Sequence, residues 1–174
     1  MIVSIIVEGE VDRLFIDTVL RASGLSHGFE VVSAGGRSSA ISLARSYLSL
    51  PDRYVALVVD SDTRHVRQVQ EQQAILEESL AAVAPKWRSA VFLAVPEIEA
   101  CLFSNPALAV MVFGRQLPAE TLVSGRFEPR KTAMVLLAAD SASGYLQAIK
   151  SILTQPAVVS ALATTSPFME FPSL

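Results

Sequence analysis

One cysteine, two histidines, a charged fraction of only 18% and no surplus of basic residues set the first limits on this 174-residue chain. Cys101 alone cannot form an internal disulfide, which suits a reducing cytoplasm. Two histidines and one cysteine do not supply a structural zinc site. The first apolar run, Ile2–Val7, is too short for a signal-peptide core and has no basic leader. No uninterrupted run reaches the roughly 20 apolar residues of a membrane span, so no membrane is expected as a partner. A net charge of −3 and a pI near 5.4 leave no general basic face. Tight sequence-independent nucleic-acid binding then needs local Arg and Lys clustering, bridging metal ions or a basic partner.

Apolar side chains make up 51% of the sequence, enough for a well-buried core and against disorder. The apolar residues fall into short runs separated by helical patterns. Ile2–Val7 reads as a buried parallel strand. Val11, Leu14, Phe15, Thr18, Val19 and Ala22 then form one helical stripe, stopped near Gly24. Residues 30–34 predict a second strand and Gly35-Gly36 a turn, with Ser38 or Ser39 as helix cap. Ala40, Ile41, Ala44 and Leu48 mark a second helix, ended by Pro51. Residues 55–59 predict a third strand, and Asp62 or Thr63 a cap for a helix with Val69, Leu76, Leu80 and Val83 inside. Residues 91–95 predict a fourth strand and 97–103 a short helix.

Four strand–helix alternations predict an α/β fold: a doubly wound, mainly parallel four-stranded sheet with helices on both faces. Residues 1–104 form the catalytic core of this reading. Residues 105–174 form an α-helical C-terminal extension packed on it, with helices expected at 106–113, 131–139 and 143–153. Pro118, Pro129, Gly144 and Pro156 act as separators. The last ten residues read as an extended tail or a partner-binding end. There is no internal repeat.

What the chain does contain is acid at the carboxyl ends of three of these strands: Glu8 to Asp12, Asp60 to Asp62, and Glu97 to Glu99. In doubly wound sheets, sites lie beyond the carboxyl ends of the strands. Converging carboxylates repel one another unless a cation lies between them, which points to a hard-metal site. Asp60 and Asp62 are two apart, so on an extended chain they point the same way and can share an ion. A helix cap at Asp62 is the plain alternative. Glu8 ends a run of five apolar residues, and Asp12 lies one helical turn further on. Glu97 and Glu99 are equally explained as first-turn acids of a helix. Gly35, Gly36 and Arg37 can approach a phosphate, although a plain turn also explains them. Lys131 can reach a phosphate or stand solvated at a helix start. Arg64, His65 and Arg67 offer a local basic edge or a solvated helix face. Cys101 reads as a small core residue.

Taken together, these residues resemble the toprim domain shared by topoisomerases, primases and several nucleases. The resemblance covers roughly residues 2–100. It lies in Glu8-Gly9-Glu10-Val11-Asp12 after the first strand, Gly35-Gly36 after the second and Asp60-Ser61-Asp62 after the third. Within that family the chain looks most like small stand-alone and OLD-type toprim nucleases, several of them from anti-phage systems. Pro96-Glu97-Ile98-Glu99-Ala100 is similar to the Pro-x-Ile-Glu-Ala-Trp-Leu segment of small toprim-like proteins, with Cys101 in place of Trp. Topoisomerase chemistry is not supported, because Tyr47, Tyr54 and Tyr145 lack a nucleophile context.

The resemblance implies phosphodiester hydrolysis of DNA or RNA with one or two Mg²⁺ or Mn²⁺ ions. Glu8, Asp60 and Asp62 would be catalytic, with Asp60 and Asp62 holding the main ion and Glu8 a further ligand or general acid/base. Asp12 with Glu99 or Glu97 would complete a second site, and Lys131 would correspond to a second-metal lysine. A protein partner in a defence complex and a second copy of the chain are candidate partners. One alternative is a non-catalytic or partner-activated toprim subunit. A haloacid-dehalogenase-like phosphohydrolase is a lesser one: Arg64 stands where that motif wants Thr or Val, and the Asp pair follows the third strand.

Overall fold

Four apolar runs become four parallel strands. They are β1 (Ile2–Val7), β2 (Phe29–Ser33), β3 (Arg53–Asp60) and β4 (Ser89–Ala94), in the sheet order β2-β1-β3-β4. The structure, a computed structural model, describes residues 2–25 and 27–165. The sheet is buried on both faces, which is why its central strands carry few polar residues. Alternate side chains serve opposite layers. Val3, Ile5 and Val7 of β1 and Ala56 and Val58 of β3 enter one core, while Ile6, Val55, Leu57 and Val59 enter the other.

The second core is closed by α2 (Arg37–Leu48), through Ala40, Ala44 and Leu48, and by α3 (Val66–Ala81), through Leu76 and Leu80. The first core is closed by α1 (Glu10–Ala22), through Phe15, Ile16 and Val19. It continues without a break into the helices beyond residue 105. These are α4 (Pro106–Phe113), α5 (Ala119–Phe127), α6 (Pro129–Leu136), α7 (Ala142–Ile152) and α8 (Pro156–Ala163). Leu108, Val112, Ala133, Ile149, Val158 and Leu162 share one apolar cluster with Phe15 and Val3. The C-terminal helices thus bury the outer face of α1 and contribute to the main core.

Several boundaries depart from the sequence expectation for local reasons. Helix α2 begins at Arg37 with Gly36 as N-cap, ahead of the expected serines, because Gly36 adopts φ 135° and turns the chain early. Helix α3 begins at Val66 and takes no side-chain cap from Asp62 or Thr63. Helices α5 and α8 were not expected. Pro129 and Pro156 are the first residues of α6 and α8, where a missing N–H costs nothing, so they start helices as well as separating them. Residues 97–103 give a 3₁₀ segment, Ile98–Phe103, preceded by a cis Val95–Pro96 peptide. Of the expected tail, residues 166–174 lie outside the described residues. Among the described residues, no helix is long and apolar enough to cross a membrane.

Gly125 on α5 lies against the fully buried ring of Phe103. A Cβ there would come within 2.2 Å of Phe103 Cδ1. In an exposed helix, Gly→Ala stabilises by up to about 1 kcal/mol. Here the sign should reverse. Gly125→Ala is expected to destabilise by about 1–3 kcal/mol through overpacking, read as a lowered urea midpoint.

Candidate active site

In this strand order the chain leaves β1 for one side of the sheet and returns through β3 on the other, so the crevice beyond β1 and β3 is the switch point. Glu8 follows β1 and Asp60 ends β3 at that crevice. The two are joined directly: Glu8 Oε1 accepts a hydrogen bond from the Asp60 backbone N–H at 3.0 Å. Burial pushes the Glu8 carboxyl above its ordinary range, while the Asp60 N–H and Arg37 pull it down.

Asp12, at the third position of α1, turns back so that Oδ2 accepts from the Gly9 N–H at 2.7 Å. That is the capping role its position suggests, but it occupies only one oxygen. Asp12 Oδ1 is buried and has no hydrogen-bond partner. The nearest cationic atom, Arg130 Nη2, is 3.9 Å away. Burial, then repulsion from Glu99, pushes Asp12 up to about 6.

Asp60 is 6% exposed. Its Oδ1 accepts from the Ile98 N–H at 3.0 Å and its Oδ2 from Arg130 Nη2 at 3.2 Å. Burial, followed by the charges of Asp12 and Glu99, raises Asp60 to about 8. Glu99 is wholly buried. Its Oε1 accepts from Arg130 Nε at 2.8 Å and from the Tyr145 hydroxyl at 3.4 Å. A first-turn acid has no reason to be buried, so the helix-dipole explanation fails for Glu99. Glu97 lies outside this group, where its Oε2 accepts from the Arg130 backbone N–H and anchors the start of α6.

Asp12, Asp60 and Glu99 therefore meet at Arg130, and not at its neighbour Lys131, the basic residue expected from the sequence. Lys131 is exposed and pairs with Glu128 at 3.0 Å. The two residues are neighbours in sequence and point to different environments. Only the packing of α6 against the 3₁₀ segment decides which one reaches the acids. Attraction to Glu99 and Asp60 outweighs the cost of burying Arg130 and holds its guanidinium firmly protonated. Tyr145 is likewise raised, by burial and then by Glu99.

Asp62 does not join Asp60. The expectation that they point alike required extended backbone, but Asp62 has φ 54°, a left-handed conformation that Asp tolerates better than most residues. Its N–H is fixed to the Pro96 carbonyl at 3.0 Å, and its side chain is 70% exposed, 3.7 Å from Arg37 Nη1. Arg37 also donates to the Asp60 carbonyl and to Gln72, both at 2.8 Å, so it fixes the end of β3. Gly35 and Gly36, both at positive φ, line a cavity of about 610 Å³ with Glu8, Asp12, Asp60 and Arg130. The basic edge at Arg64 and Arg67 is committed elsewhere. Arg64 reaches the Arg126 carbonyl and the Phe127 ring, and Arg67 pairs with Glu71.

Among the described residues, no three Asp, Glu, His or Cys side chains are placed to hold a metal ion as they stand. The chemistry of the donor set nonetheless fits a hard divalent cation. The groups are all oxygen, Asp12 Oδ1 is buried and unbonded, and three carboxylates face a single guanidinium.

The chain is similar in fold to the C-terminal region of the Burkholderia pseudomallei OLD protein. The match has 17% identity, covers 92% of this chain and 94% of that one, and has a TM-score of 0.53. The C-terminal region of the Xanthomonas campestris pv. campestris OLD protein matches at 16% identity, 92% and 91% coverage and a TM-score of 0.50. No family model and no curated protein matches the sequence. The likeness establishes a toprim-like α/β fold across nearly the whole chain, including the helices beyond residue 105.

A carboxyl whose pKa is raised on folding binds more protons folded than unfolded. Stability is then highest below the unfolded pKa, near 4, and falls as pH rises to the folded value. For Asp60 that window runs up to about 8, and for Asp12 up to about 6. In chelator, urea midpoints should fall between about pH 5 and pH 8, by no more than about 1.4 kcal/mol per pH unit for each group. Asp60→Asn should flatten the upper half of that fall.

Proposed function

We propose that this chain is a divalent-metal-dependent phosphodiesterase acting on nucleic acid, a nuclease of toprim type. The observation that carries the reading is the meeting of Glu8, Asp12 and Asp60 at the β1/β3 switch point, with one buried carboxylate oxygen left without a partner. The fold shared with the OLD protein regions supports it, as does the motif order of the sequence.

In this reading Asp60, Asp12 and Glu8 hold Mg²⁺ or Mn²⁺, with Glu99 behind them. The bound ion supplies water activation and neutralises charge on the attacking and leaving oxygens. The protein does the rest. Asp60 is fixed by the Ile98 N–H, and Glu8 is fixed by the Asp60 N–H. A phosphodiester entering the cavity meets the Gly35-Gly36 turn at the start of α2, whose first N–H groups carry no side-chain cap. Arg37 and Asp62 line a separate cavity with Ser61 and Gln72. Lys131 faces the solvent beside Glu128 and serves as a peripheral phosphate contact at most. The setting is cytoplasmic nucleic-acid processing or anti-phage defence.

A partner-activated subunit is the second reading, and two observations favour it. Arg130 lies in the middle of the acids, and Val123, Phe127 and Val135 on α5 and α6 are exposed nearby.

The test is Mg²⁺- or Mn²⁺-dependent nicking of circular DNA and cleavage of RNA by the purified chain. Asp60→Asn is expected to abolish cleavage and to weaken Mn²⁺ binding by at least roughly tenfold. At about pH 5, where Asp60 is still largely protonated, its unfolding free energy should stay within about 1.5 kcal/mol of wild type. Undiminished cleavage by Asp60→Asn would sink the assignment. Cleavage only after a cellular partner is added would support the second reading.

A further inference from the structure

Arg130 is the residue the proposed chemistry leaves without a task. Its guanidinium occupies the position that a cation among Asp12, Asp60 and Glu99 would take: Nε is 2.8 Å from Glu99 Oε1, and Nη2 is 3.2 Å from Asp60 Oδ2 and 3.9 Å from Asp12 Oδ1. The fit is incomplete. Asp12 Oδ1 is buried and still lacks a hydrogen bond, so one guanidinium does not satisfy all three acids.

Two further observations concern how Arg130 is held. Its backbone N–H is anchored to Glu97 Oε2 at 3.0 Å, so the start of α6 is fixed independently of the side chain. The side chain itself is 41% exposed, and it walls two cavities at once. One, about 610 Å³, holds Glu8, Asp12 and Asp60. The other, about 650 Å³, holds Glu97 and Asp140. The Arg130 side chain thus borders two sets of carboxylates, one on each cavity, while its backbone stays anchored.

We propose that Arg130 is a removable internal counter-ion: it fills the seat among Asp12, Asp60 and Glu99 in the metal-free chain, and a divalent cation binds by displacing it toward Glu97 and Asp140. This inference rests on the metal-dependent reading above. The exchange adds one positive charge to the seat, since a doubly charged ion replaces a singly charged guanidinium among acids that repel without a cation. It also lowers the apparent metal affinity by the fraction of molecules in which Arg130 is already withdrawn.

Calorimetric titration of Mn²⁺ into wild type and Arg130→Met tests the exchange. If the seated state exceeds about 90% of molecules, removing the competitor should tighten binding by at least about tenfold. Equal or weaker binding by the variant overturns the exchange and leaves the metal reading standing. Absence of binding by both proteins overturns the two together. If Arg130→Met does not fold, the wild-type protein carries the test. Arg130 Nε–H, assigned by its loss from the arginine ¹⁵N spectrum of Arg130→Lys, should exchange slowly in chelator because it is bonded to Glu99. Saturating Mg²⁺ should move that signal and speed its exchange. A protected, unmoved signal at Mg²⁺ saturation overturns the proposal.

Discussion

The structure around the switch point depends on one cation being present among buried acids. Asp12, Asp60 and Glu99 are each less than a tenth exposed, and among the described residues Arg130 is the one cation paired with them. Removing one partner from such a group leaves an uncompensated charge, which typically costs several kcal/mol. The chain limits the cost in two ways. Backbone N–H groups of Ile98 and Gly9 take one oxygen each of Asp60 and Asp12. Burial also raises both carboxyls, Asp60 further than Asp12, which favours their neutral forms and eases the repulsion between them. What remains is a site under electrostatic tension, which a doubly charged ion relieves better than a guanidinium.

This tension couples the two parts of the chain. The acids come from the sheet, from α1 and from the 3₁₀ segment after β4. Arg130 and Tyr145, which contact Glu99, come from α6 and α7. Residues beyond 105 also continue the core begun by α1. The helical extension therefore supplies both the apolar cover of the sheet and the polar groups that make the acid cluster tolerable. Damage to its packing, as at Gly125 against Phe103, should reach the site through α5 and α6.

The parts of this arrangement that were legible in the sequence share one cause. A parallel strand buried on both faces is an uninterrupted apolar run, and an acid that ends such a run has few reasons to be there. Glu8 and Asp60 stand out on that ground, and the four strands with them. Other features left weaker traces. Proline at 129 and 156 marks a helix start as readily as a break, so α5 and α8 stayed hidden between separators. Asp62 follows Asp60 at the right spacing, yet one left-handed residue sends it outward. Arg130 and Lys131 are indistinguishable by composition, and only the packing of α6 decides between them. The burial of Glu99 likewise depends on a contact more than thirty residues away in sequence.

An acidic chain has little free positive charge to offer a polyanion. Many of its arginines are occupied internally: Arg13 with Glu10, Arg21 with Asp17, Arg53 with Glu30, and Arg88 on the carbonyls of Leu50 and Arg53. Counterion release from a broad basic surface is thus a weak source of nucleic-acid affinity here. On the proposed function, attraction must arise at the site itself. Filling the acid seat with a divalent ion makes the site less negative than a guanidinium does, and releases Arg130 toward Glu97 and Asp140. Metal binding and phosphate binding then cease to be independent, because the first removes much of the negative potential that opposes the second. The missing basic surface, which at first counts against a nuclease, becomes the reason that its substrate would be held only when the metal is in place.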